Sequence, residues 1–264
     1  MLWPLFRAAS SATQGAGRDS LSRVNQRFVR LAERLGIASY ARPVKRALER
    51  PKVKRFRREH DHLRLLLTFV LREGDNCIDV GANRGEVLAD IVRLAPGGKH
   101  IAFEPIPYLQ PELAERFPQV EIRAAAASAR TGEAEFVLDL AHDGMSGLRE
   151  QYDEHPSERL TVRTEALDDV LPPGYVPRLI KIDVEGAEFD VLRGAERTIR
   201  AHRPIVLFEL TWSTNFYGAA PGDIHAFLTD AGYRVFDLLG GGPYTAEALQ
   251  AALDADEPQN FVAH

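Results

Sequence analysis

The chain has 264 residues, 45% of them hydrophobic, with a formal net charge of −5, enough apolar material for one large α/β core. A single cysteine, Cys77, excludes an internal disulfide framework, and no uninterrupted apolar run of about 18 residues is available to cross a bilayer. The charge is unevenly placed: residues 1–60 carry 15 Lys and Arg against 4 Asp and Glu, a balance of +11, and the rest of the chain carries −16.

In chain order, "MLWPLFRAASSATQGAG" opens on an apolar stretch broken by Pro4 and Arg7, without the charged start and long apolar centre of a cleaved signal peptide. "SLSRVNQRFVRLAERLGI" then sets Leu21, Val24, Phe28, Leu31 and Leu35 three and four residues apart, the spacing of an amphipathic helix. Its apolar face could dock on the main domain, a second subunit or lipid. "RPVKRALERPKVKRFRREH" (42–60) concentrates the basic charge. It reads as a solvated helix or arm, with an anionic lipid surface or an acidic protein as the alternative contact. No regularly spaced aromatics interleave these charges, so nucleic acid is not expected. Residues 1–60 are therefore set apart as a basic, partly helical extension, and 61–264 as the main domain. The expectation is a cytoplasmic protein, at most peripheral to a membrane through residues 1–60.

Beyond residue 61, strands alternate with helices. "NCIDV" (76–80), "HIAFE" (100–104), "VEIRAAA" (120–126), "LIKIDV" (179–184), "IVLFEL" (205–210) and "YRVFDLL" (233–239) are short and mostly apolar, as strands covered on both faces are. Helical patterns separate several of them, over 84–95, 109–117, 188–202 and 222–232. "QNFVAH" reads as a final strand. The alternation predicts a Rossmann-like α/β fold, a doubly wound and mostly parallel sheet. Two further strands, over 132–140 and 158–167, flank a long loop (141–157) holding His142 and His155, and long loops in compact domains are usually functional or mobile.

Ligands of such sheets bind beyond the carboxyl ends of the strands. The first strand ends in "CIDVGANRGEV", where Gly81 and Gly85 bracket a turn that lets backbone amides approach a ligand. A dinucleotide fingerprint would want further glycines where Asn83 and Glu86 stand. Asp79 would repel a pyrophosphate but attract the ammonium of an amino-acid moiety, which points to S-adenosylmethionine. Glu104, 19 residues beyond Gly85 at the end of the second strand, is placed to accept from ribose hydroxyls. Taken singly, each has a plainer reading: a tight turn, a helix cap, a solvated loop acid.

"FVLREGDNCIDVGANRGEV", "IAFEPIPYLQPEL", "AAASARTGEAEF", "LIKIDVEGAEFDVLRGAE" and "NFVAH" resemble, in matching order, the FkbM family of S-adenosylmethionine-dependent methyltransferases, over about residues 68–264. The resemblance implies a class I methyltransferase fold, with a seven-stranded sheet whose last strand is antiparallel. It also implies O-methylation of a hydroxyl on a sugar, glycan or other secondary metabolite. Carried over residue by residue, it places Asp79, Gly81, Asn83 and Gly85 in the cofactor loop, Glu104 on the ribose, and Ala126 to Ser128 beside the adenine. Asp183, Glu185, Gly186 and Glu188 match the family's "DVEGAE" segment.

If the strand persists, residues 181, 183 and 185 share a face at the rim where a sulfonium methyl would sit. Asp183 is assigned beside the methyl donor and Glu185 toward the acceptor, either able to take or orient a hydroxyl proton. Glu188 reads instead as the charged first turn of the next helix. Glu209, in "LFEL", is a further acceptor-side candidate that with Asp183 could ligate magnesium, although no metal site is assigned. Trp212 and Tyr217 could form an apolar or sugar-stacking wall. The alternatives are a non-catalytic interaction module on the same scaffold and an N- or C-methyltransferase.

Overall fold

The computed structural model describes residues 51–140, 146–148, 156–255 and 257–264. The helix expected over 20–37, and His142 and His155, lie outside the described residues. Helix α1 (Pro51–Val70) leads into β1 (Asn76–Val80), α2 (Glu86–Leu94), β2 (Ile101–Phe103), α3 (Leu109–Arg116) and β3 (Glu121–Arg123). Two short elements follow as one small sheet: β4 (Ala126–Ala127) pairs with β6 (Ser157–Glu165), which pairs with β5 (Gly132–Asp139). After α4 (Leu167–Val170), the chain resumes the alternation with β7 (Pro177–Ile182), α5 (Glu188–Gly194), α6 (Glu196–His202) and β8 (Ile205–Glu209). A 3-10 helix (Trp212–Tyr217), α7 (Pro221–Asp230), β9 (Val235–Asp237), α8 (Ala246–Ala255) and β10 (Asn260–Ala263) complete it.

The main sheet has seven strands in the order β3-β2-β1-β7-β8-β10-β9. All pairings are parallel except those of β10, which runs antiparallel to both β8 and β9. This is the doubly wound sheet expected from the alternation, with the last strand reversed. The order turns back between β1 and β7, which makes their carboxyl ends the crevice of the fold.

Apolar strands sit in the middle because helices cover both faces. Ile78, Val80, Ile180, Ile182, Val206 and Phe208 are at most 2% exposed and form the core with α5, α6 and α7. Phe208 stacks on Phe261 at 5.6 Å between ring centroids, and each such buried ring contributes about 1.5–3 kcal/mol through burial. On the other face, Leu63, Leu66, Leu67 and Val70 of α1 recur every three to four residues and pack on Cys77, Ile91, Leu179 and Leu207. Residues 60 and 61, between which the extension was set apart from the main domain, lie inside this helix.

Three boundaries differ from those read in the sequence. The stretch "VEIRAAA" is two strands, because the Ala125 amide bonds back to the Arg123 carbonyl at 2.9 Å and turns the chain into the small sheet. The helix expected over 188–202 is broken at Ala195, where ψ is 11°. Helix α8, which the alternation did not reveal, buries Leu249 and Ala252 against the core.

Candidate active site

Strand register builds the site. In the β1–β7 pairing Asp79 lies opposite Lys181 and Val80 opposite Ile182, and in the β7–β8 pairing Ile182 lies opposite Phe208. One step further along the same register places Gly81, Asp183 and Glu209 side by side at three neighbouring strand ends. Phe103 is opposite Val80, so Glu104 joins the row next to Gly81.

The cofactor-loop residues come together around β1. Gly81 has φ 74° and is pressed so close to β7 that a Cβ there would lie 1.9 Å from the Asp183 carbonyl oxygen. Only glycine fits that position. Asn83 is also left-handed, at φ 45°, which aims its amide at Glu104 Oε2, 2.7 Å away. Glu104 Oε1 accepts from the Ile106 amide at 2.8 Å. Burial pushes the Glu104 carboxyl up to about 7 against the pull of these two amides. Gly85, at φ 72°, is the N-cap of α2 and lies against Leu113 and Phe117 of the next helical layer.

Asp79 is 1% exposed, and neither of its carboxylate oxygens accepts a hydrogen bond. The Lys181 ammonium stands 3.2 Å from Oδ1 as an ion pair without hydrogen-bond alignment. That ammonium donates instead to the Gly81 carbonyl at 2.7 Å, and lies 3.4 Å from Asp183 Oδ2. Burial works against charge on Lys181, but Asp183 and Asp79 together more than offset it and hold the lysine cationic. Lys181 is thus the link between the β1 loop and the Asp183 carboxylate. The sequence reading assigned it no role, although a lysine inside the apolar run "LIKI" was the visible signal, since a buried charge requires partners.

Asp183, Glu185 and Glu209 form one acidic cluster, each offering a carboxylate oxygen within 4.8 Å of the others. The Glu209 carboxyl is held well above the usual range, by burial first and then by the charges of Asp183, Glu185 and Glu188. Burial, followed by the charges of Asp183 and Glu188, raises Glu185 to about 8. Such a group can share protons among its members or accept a hydrated divalent cation.

Glu188 takes the structural part expected of it. Its Oε1 accepts from the amides of Val184 and Gly186, both at 3.1 Å, and so fixes the turn in which Glu185 adopts φ 57°. Gly186 of that turn abuts the 3-10 helix: a Cβ there would lie 2.6 Å from the Ser213 carbonyl and 2.7 Å from the Tyr217 ring. Ser128 is placed apart from the cluster. Its amide bonds to Glu165, and its carbonyl faces Gly194 at the far end of α5 from Glu188.

A family model described as "Methyltransferase FkbM domain" matches residues 79–235, more than half of the chain. No curated protein matches it in sequence. Among solved structures, a methyltransferase FkbM from Methylobacillus flagellatus KT aligns at 18% identity and a TM-score of 0.46, covering 72% of this chain and 44% of that one. This chain therefore spans less than half the length of that protein. A SAM-dependent O-methyltransferase from Thermotoga maritima aligns at 12% identity and a TM-score of 0.39, covering 66% of this chain and 52% of that one. Aeropyrum pernix fibrillarin, in complex with S-adenosyl-L-methionine, aligns at 13% identity and a TM-score of 0.41, covering 73% and 66%.

Proposed function

The chain belongs to the FkbM methyltransferase family, and on that premise we propose that it methylates a hydroxyl of a small polyhydroxylated acceptor, a sugar, glycan or secondary metabolite, with S-adenosylmethionine as donor. The observation that carries the reading is the row of Glu104, Gly81, Asp183 and Glu209 across adjacent strand ends.

The β1 end fits the donor. Asp79 presents two buried carboxylate oxygens without hydrogen bonds, suited to an ammonium group, and Gly81 turns the chain at φ 74° directly against the Asp183 carbonyl, which holds the loop to the neighbouring strand end. Glu104, whose oxygens each retain a free lone-pair direction beside one amide, is suited to a pair of ribose hydroxyls. Bound there, S-adenosylmethionine supplies an electrophilic methyl group on a sulfonium. Asp183 orients the acceptor hydroxyl and takes its proton as the oxygen–carbon bond forms. Glu209, whose buried carboxyl is shifted toward its protonated form beside Asp183, helps to place that carboxylate, and Glu185 stands on the acceptor side. Positioning of this kind supplies much of the rate of a group transfer.

Residues 61–264 are assigned to this catalytic domain, and residues 1–60 to an extension available for a peripheral membrane or protein contact. No helix among the described residues is long and apolar enough to cross a membrane.

Calorimetric titration with S-adenosylhomocysteine tests the donor assignment. Binding by the parent protein is expected, with the absence of heat and of any thermal shift sinking the enzyme reading in favour of an interaction module. An Asp183→Asn variant that keeps full activity would point to N-methylation, where an amine needs less help from a base.

A further inference from the structure

A cleft of about 530 Å³ opens between the small sheet, the start of α5 and the 3-10 helix, within the size range of small-molecule sites, roughly 300–1,000 Å³. Its floor is apolar, from Val137 and Leu148, and two rings, Phe216 and Tyr217, form one wall. Charged side chains stand at its edge: Asp190 of α5, and Glu135 and Arg159 of the hairpin, these last two ion-paired with each other.

Tyr217 ties the cleft to the acidic cluster, because the same ring that lines it lies against Gly186 in the turn carrying Glu185. Phe216 is 41% exposed and packs edge-to-face on Trp212, itself 37% exposed, at 5.1 Å. Exposed aromatic surface beside polar groups is a common mark of a ligand site.

Resting on the O-methyltransferase reading above, we propose that this cleft is the acceptor subsite and that it holds a neutral pyranoside ring. The rings of Phe216 and Tyr217 offer a surface for the C–H face of a sugar, while Asp190, Glu135 and Arg159 can each bond hydroxyl pairs in the ring plane. Glu135 is paired with Arg159 and Asp190 lies 3.6 Å from Arg193, so the edge carries balanced charge with no surplus cation to hold a phosphorylated or carboxylated acceptor or nucleic acid. A flat phenol would cover the rings but offers only one or two hydroxyls to that edge, where a pyranoside offers several.

The test is saturation-transfer NMR on the full chain with S-adenosylhomocysteine present. The probes are the methyl glycosides of glucose, galactose, mannose, rhamnose, fucose and xylose, with catechol and glucose 6-phosphate as comparison probes. At least one neutral glycoside is expected to receive saturation. Phe216→Ala should weaken its binding by about fivefold or more, as loss of a ring contact implies, and Asp190→Asn should weaken it as well. The S-adenosylhomocysteine affinity and melting temperature of both variants should match the parent. Saturation of catechol or glucose 6-phosphate alone, of no probe, or of a glycoside equally well in both variants, overturns the proposal while normal S-adenosylhomocysteine binding leaves the methyltransferase reading standing. Loss of S-adenosylhomocysteine binding in the parent strikes the methyltransferase reading, and a variant-sensitive glycoside signal without it still supports the cleft as a sugar site.

Discussion

The carboxylates on the two sides of the crevice are treated in opposite ways. At the β1 end, Glu104 receives two backbone amides and Asp79 stands 3.2 Å from the Lys181 ammonium, so each acid faces donors or a cation rather than another carboxylate. One strand further on, Asp183, Glu185 and Glu209 crowd within 4.8 Å of one another, with Lys181 reaching Asp183 at 3.4 Å. Acids set against amides or an ammonium are placed to receive a ligand's donors, although burial raises both Glu104 and Asp79. Crowding raises the proton affinity of Glu185 and Glu209, which suits the removal of a hydroxyl proton proposed above.

This contrast can be broken in several places. The largest effect is expected at the crowded end, where Asp183→Asn should lower turnover by about 10²–10⁴-fold with little change in S-adenosylhomocysteine affinity. A variant that lost affinity instead, in a calorimetric titration, would make holding the donor, beside which Asp183 was placed, its main task. Next, Lys181→Met leaves Asp79 and Asp183 without their shared cation, and breaking a buried pair from one side costs about 3–5 kcal/mol. Urea unfolding measures it, and adding Asp79→Asn to the same chain should restore part of the loss.

Smaller is Glu104→Ala, expected to weaken S-adenosylhomocysteine by about 1–3 kcal/mol as charge-assisted hydrogen bonds are removed. An unchanged affinity would show that the ribose is held elsewhere. The smallest is the response to pH. Glu104 and Glu188, raised to about 7, and Glu185, raised to about 8, bind protons more tightly folded than unfolded, where the ordinary value is 4.5. The stability they contribute is therefore complete below about pH 4.5 and is lost as pH rises through about 7 to 8. Melting temperature followed over that window should fall, and Glu185→Gln should flatten the upper part of the fall.

Much of this was legible in the residues, and what was not has physical causes. Apolar runs gave the strands, and Asp79, Gly81, Asn83, Gly85 and Glu104 could be gathered because all lie at the ends of two consecutive strands, where neighbours in sequence are neighbours in space. Lys181 escaped because its meaning depends on register: only the pairing of β1 with β7 sets it opposite Asp79. The departure of β4 from the main sheet was hidden for a similar reason, since a run of alanines carries no record of which strand it pairs with. The paired half of α1 was obscured by its own composition, with Arg and His between the leucines that reach the core.

The ion pair between Arg123 and Glu165 has an energetic corollary. Arg123 ends β3 and Glu165 ends β6, and they meet through two hydrogen bonds, of 2.5 and 3.1 Å. The Arg123 carbonyl also accepts the Glu104 amide at 3.1 Å. The hairpin that lines the cleft is thereby fastened to Glu104, the residue proposed for the ribose. Any coupling that this fastening carries between the cleft and Glu104 acts with equal size in both directions, so an acceptor that tightened donor binding would itself be tightened by the donor.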